Sequence, residues 1–134
     1  MNALQKVAWI EVIVAIVASI AVLGAMPLLG DRSTDLYVLL AVVPAIYPFL
    51  MRPRGGEIVK DERDNEIKKR SEYWGVSTAW MFFVISMIAI SMWHNTQDVP
   101  TKYLFALIWI QFAVYIGAKG AAALAFYRRV SRAA

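Results

Sequence analysis

The sequence predicts an all-α membrane protein, a four-transmembrane-helix bundle with both termini in the cytoplasm and a third helix extended beyond the bilayer. Three observations carry this expectation. Hydrophobic residues fill 60% of the 134 positions and charged residues only 18%, more apolar surface than a soluble domain of this size can bury. The charges lie between four apolar runs, at residues 7–29, 36–51, 73–93 and 103–126, each a candidate span for a hydrocarbon core about 30 Å thick. Lys and Arg are also concentrated on one side of the layout those runs imply.

The first run is interrupted only by Glu11. Its length and its internal acid predict a retained span rather than a cleaved leader. A polar turn, Gly30 to Asp35, follows, and Ser33 or Asp35 is placed to cap a helix beginning near Leu36. The second run carries Pro44 and Pro48, each removing a backbone donor, so this span is expected to be short and kinked.

Arg52, Pro53, Arg54, Gly55 and Gly56 then break the chain. Beyond them no proline occurs until Pro100, which predicts a cytoplasmic charged helix over residues 57–72 running directly into the third span. His94 and the residues after it form a second external turn, and Pro100 suits the start of the fourth helix. Trp9, Tyr73, Trp74 and Tyr127 would mark one interface, Trp93 and Tyr103 the other.

Orientation follows from the basic residues. Lys6, the block from Arg52 to Arg70, and Arg128, Arg129 and Arg132 share one side, against Arg32 and Lys102 on the other. The positive-inside rule makes the basic side cytoplasmic, next to the anionic inner leaflet of a plasma membrane, and a prokaryotic source is expected. Topology thus accounts for the net charge of +4, and nucleic acid is not an expected partner because the basic patches sit at the membrane edge.

The block around Asp61, Glu62, Arg63, Asp64 and Glu66, followed by Lys68, Lys69 and Arg70, runs from acid to base in the order that a helix dipole favours. At four-residue spacing Asp64 reaches Lys68 and Glu66 reaches Arg70. Successive carboxylates on a helix diverge by about 100°, so a solvated face explains them better than catalysis does. Val59, Ile67 and Trp74 share one side, a narrow stripe suited to a partner. Asp61, Glu62, Arg63, Ile67 and Arg70 are therefore the candidate partner-binding residues.

Those five residues, Asp-Glu-Arg, then Ile four positions after the Arg and a basic residue soon after, resemble a motif found between the second and third spans of small four-helix bacterial and archaeal membrane proteins of unknown function. The resemblance implies a non-enzymatic membrane protein whose cytoplasmic motif matters to packing, assembly or signalling. This chain has Arg70-Ser71 where those families often have a basic residue followed by alanine.

Within the spans, Glu11 and Lys119 are costly residues to place in lipid. By helical rise they lie about 6 and 10 Å from the same, cytoplasmic end, so they are close enough in depth to pair. Gln111, Tyr115 and Lys119 recur every four residues as a polar stripe on the fourth helix, and Ala113, Gly117, Ala121 and Ala125 form a second line of small residues nearly opposite. Two buried faces on one helix predict a homo-oligomer, in the simplest case a dimer.

Cysteine is absent and His94 is the one histidine. Thiolate chemistry and most histidine-ligated metal sites are thereby excluded, and no cofactor is expected. The span hydroxyls Ser77, Thr78, Ser86 and Ser91 have no base to activate them, which argues against an enzyme. The best expectation is a structural, regulatory or accessory membrane protein presenting its charged helix to a cytoplasmic or membrane partner. The alternative is a proton-coupled small-molecule transporter of the small multidrug-resistance type using Glu11.

Overall fold

Gly30 takes a φ of 55°, a left-handed conformation open to glycine at little cost, and there the chain reverses. In the computed structural model, which describes residues 3–50, 62–94 and 99–133, a long helix α1 (Ala3–Leu29) leads into this reversal. A 3-10 segment, Gly30–Ala41, and a nine-residue helix α2, Val42–Leu50, run back along α1. Two further long helices follow, α3 (Glu62–His94) and α4 (Thr101–Ala133). All described residues except Val99 and Pro100 are helical.

The four-transmembrane-helix bundle is corrected here. Among the described residues three stretches are long and apolar enough to cross a membrane, within Ala3–Phe49, Glu62–Trp93 and Thr101–Arg129. The second apolar run forms no long α-helix of its own. Pro44 cannot donate to the Leu40 carbonyl and its ring crowds that carbonyl, and Pro48 does the same one turn later. Both prolines nevertheless lie within α2, Pro44 in its first turn where a missing N–H costs least, and the residues before it coil more tightly, with Thr34 Oγ1 donating to the Asp31 carbonyl at 2.9 Å.

The polar turn is correspondingly absorbed into the 3-10 segment. No helix starts near Leu36 for Ser33 or Asp35 to cap, and the residue preceding the segment, Leu29, makes no side-chain capping bond. Ser33 is instead buried, without a hydrogen-bond partner for its hydroxyl among the described residues. The far end is tied by Lys102 Nζ to Asp31 Oδ2 at 3.0 Å, an exposed contact between α4 and the reversal.

Packing is inverted relative to a soluble core. On α1 the buried positions are Leu4, Val7, Ala8, Glu11, Ala15, Ala18 and Val22, spaced by three or four residues apart from the adjacent Val7 and Ala8, so that they wind along one face. Ile13, Ile16, Ile20 and Leu23 face outward. Small residues inside and large aliphatic ones outside is the pattern of helices solvated by lipid, where close backbone approach, not burial of bulk, drives association. Ala18 and Val22 meet Tyr37 and Leu40 of the 3-10 segment and Ala113 of α4.

On α3 the inward positions are Ile67, Ser71, Gly75 and Ala79, every fourth residue. A Cβ on Gly75 would stand 2.8 Å from Lys119 Cβ, so its absence lets α3 and α4 lie close. At the charged end Ile67 packs with Ala8 of α1 and Ala123 of α4. The first residues of α1, the end of α2, the start of α3 and the end of α4 thus gather at one end of the molecule. Residues 57–61 of the expected cytoplasmic helix, Asp61 among them, and residues 95–98 of the second turn lie outside the described residues.

Candidate functional site

Glu11 and Lys119 are brought together by bare backbone. A Cβ on Gly120 would lie 2.8 Å from the Ala8 carbonyl oxygen, and one on Gly117 would lie 3.3 Å from Ala15 Cβ. With hydrogen in both places, α4 approaches α1 closely enough for Lys119 Nζ to donate to Glu11 Oε1 at 2.7 Å. Glu11 is only 3% exposed. The Lys119 ammonium also lies 5.9 Å from the centre of the Tyr115 ring, at the outer edge of cation–π range.

Beside the pair is a cavity of about 30 Å³ lined by Tyr47, Ile67, Ser71 and Tyr127 as well as by Glu11 and Lys119. Its size suits one or two water molecules, and its wall is mainly apolar, with Leu4, Val7, Ala8 and Ala123 around the polar groups. The Tyr47 hydroxyl is buried there with no hydrogen-bond partner among the described residues. Ser71 donates to the Lys68 carbonyl at 2.8 Å, and Tyr127 Oη donates to Asp64 Oδ1 at 2.8 Å, joining α4 to the charged start of α3.

Chemically the site is a buried carboxylate neutralised by one ammonium. Among the described residues no three His, Cys, Asp or Glu side chains gather to hold a metal ion. One acid and one base in mutual contact supply charge balance and positioning, and the Ser71 hydroxyl on the same cavity donates to the Lys68 carbonyl and not to the Glu11 carboxylate.

The polar stripe divides between two places. Each step of four residues overshoots a helical turn by about 40°, so over eight residues the stripe rotates by about 80°. Lys119 faces α1, while Gln111 lines a groove of about 360 Å³ between α3 and α4 with Val76, Trp80, Ile108, Phe112 and Tyr115. The small-residue line drifts likewise: Ala113 is buried and Gly117 meets Ala15, but Ala121 and Ala125 are exposed. Contact with α1 continues instead through Gly120 and Ala123.

Of the five candidate partner-binding residues, Glu62, Arg63 and Arg70 are exposed on α3. Ile67 is 6% exposed and belongs to the molecule's own packing, because its side of α3 is the one that meets α1 and α4. Arg70 pairs with Glu66 at 2.7 Å, as its spacing predicts, and Lys68 reaches Glu72 at 3.8 Å.

Two parts of this arrangement were not anticipated. Tyr47 comes beside Leu4 only because the second run folds back in the tighter 3-10 geometry, which no residue pattern announces. The Ser71, Gly75, Ala79 series was readable, since small residues at four-residue spacing in an apolar helix signal close packing. No family model, curated protein or solved structure matches this chain.

Proposed function

We propose that the protein is a small non-enzymatic integral membrane protein, regulatory or accessory in role, that presents the exposed face at the start of α3 to a cytoplasmic or membrane partner. The observation that carries this reading is the way that face is held. Ile67 and Ser71 are buried on one side of α3 and Tyr127 bonds Asp64, so Glu62, Arg63, Glu66, Lys69 and Arg70 look outward in a fixed rotation. A charged surface kept in one orientation favours specific recognition over a loose tether.

In this reading the basic end faces the cytoplasm at the anionic leaflet of a prokaryotic plasma membrane, in keeping with the positive-inside rule. The likeness of Asp61, Glu62, Arg63, Ile67 and Arg70 to the motif of small bacterial and archaeal membrane proteins points the same way. Arg63→Glu, made in the full chain, is expected to abolish crosslinking of a partner in native membranes while leaving the thermal midpoint in detergent unchanged. Crosslinking indifferent to Arg63→Glu and to Glu66→Lys would overturn the proposal.

The transporter alternative draws no support from the geometry. Glu11 is buried and its Oε1 is engaged by Lys119, whereas a coupling carboxylate must exchange protons and substrate. Substrate-driven proton flux in liposomes that vanishes in Glu11→Gln would reverse this judgement.

A further inference from the structure

We infer that the groove between α3 and α4 is the face covered by a second copy of this chain, with Gln111 of each copy hydrogen-bonding the other across a two-fold axis. Gln111 lies ten residues into α4, about 15 Å along the helix, near the middle of a hydrocarbon layer. Its side-chain amide has no hydrogen-bond partner among the described residues, and it lines the groove of about 360 Å³ with Val76, Trp80, Ile108 and Phe112. A polar group at that depth is costly unless it is bonded.

The chemistry of the amide selects the occupant. An acyl chain fills an apolar groove but offers neither donor nor acceptor, so it leaves Gln111 unsatisfied. A second Gln111 supplies both, because a carboxamide donates and accepts at once and is therefore self-complementary about a two-fold axis. The walls suit a helix of the same kind: Trp80 and Phe112 are 62% and 54% exposed, and large aromatic surfaces anchor interfaces. This inference stands apart from any cytoplasmic partner, since it concerns the opposite stretch of α3 and α4.

The natural sequence contains no cysteine, so single cysteines report unambiguously. Ile108→Cys, exposed at the groove, is expected to form a disulfide-linked dimer of twice 15.1 kDa in oxidised membranes, while Ile20→Cys on the outer face of α1 stays monomeric. Adding Gln111→Leu should weaken dimerisation by about threefold to thirtyfold, the range for an interhelical side-chain bond in a bilayer, and Gln111→Asn should retain part of it. Leu at this position is apolar and helix-forming, so the monomer is expected to keep its helical content by circular dichroism. The inference is overturned if Ile108→Cys fails to crosslink in folded protein, if Ile20→Cys crosslinks equally, if Gln111→Leu changes nothing, or if native mass spectrometry finds a monomer carrying lipid.

Discussion

Breaking the Glu11–Lys119 pair on one side should cost more than removing both charges. Lys119→Met leaves the Glu11 carboxylate, 3% exposed, with its partner gone, and an uncompensated buried charge costs about 3–5 kcal/mol. Glu11→Leu combined with Lys119→Met leaves two apolar chains in contact, and replacing a whole buried pair by hydrophobic residues of similar volume is often neutral. The expected outcome in detergent is a fall of roughly 10 °C in the thermal midpoint for the single substitution and recovery of most of it in the double. Equal loss in both would show that the pair is not the stabilising unit. That the two could meet was legible in the sequence, because two ionisable residues in otherwise apolar runs stand out and helical rise sets both at similar depth, but nothing in the spacing decided between pairing and each side chain reaching for the interface. Gln111 was legible only as polar. Its separation from Lys119 depends on the rotation accumulated over two turns of α4, which a four-residue spacing conceals.

At the scale of the element, glycine separates helix packing from helix propensity. Gly120 has the Ala8 carbonyl oxygen 2.8 Å from where a Cβ would be, while Gly24 has nothing within 4 Å. Gly120→Ala should push α4 from α1 and cost about 1–3 kcal/mol, whereas Gly24→Ala should stabilise α1 by up to about 1 kcal/mol. Opposite shifts in thermal midpoint check the pair, and a stabilising Gly120→Ala would contradict the close α1–α4 approach. The three long helices were readable from length and hydropathy alone. The second run was readable as irregular from Pro44 and Pro48, but its division into a twelve-residue 3-10 segment and a nine-residue α-helix was not. A proline marks where a helical hydrogen bond is missing, and it leaves open whether the helix runs on through it, as α2 does past Pro48, and what precedes it. The same limit applies to Ile67: its apolar stripe was visible, but a stripe does not say whether the chain itself or a partner covers it.

At the scale of the molecule, packing divides the basic residues unequally between two ends. Lys6, Arg63, Lys68, Lys69, Arg70, Arg128 and Arg129 belong to the end where Leu4, Ile67 and Tyr127 surround one cavity. Arg32 and Lys102 belong to the other, where Lys102 meets Asp31. Because the chain reverses at Gly30 and runs back along α1, Lys6 and Arg128 lie at the same end, although three stretches among the described residues qualify as candidate spans. The basic residues then favour one leaflet strongly. Single cysteines at Lys6, Asp35 and Arg128 test this against a membrane-impermeant maleimide applied to intact cells. Asp35→Cys is expected to label at once, and Lys6→Cys and Arg128→Cys only after permeabilisation. Labelling of Lys6→Cys and Arg128→Cys from opposite sides would exclude the fold-back of the second run, because a chain crossing three times must separate those two residues. Labelling of all three in intact cells would exclude a single orientation, and with it the assignment of the charged face of α3 to the cytoplasm.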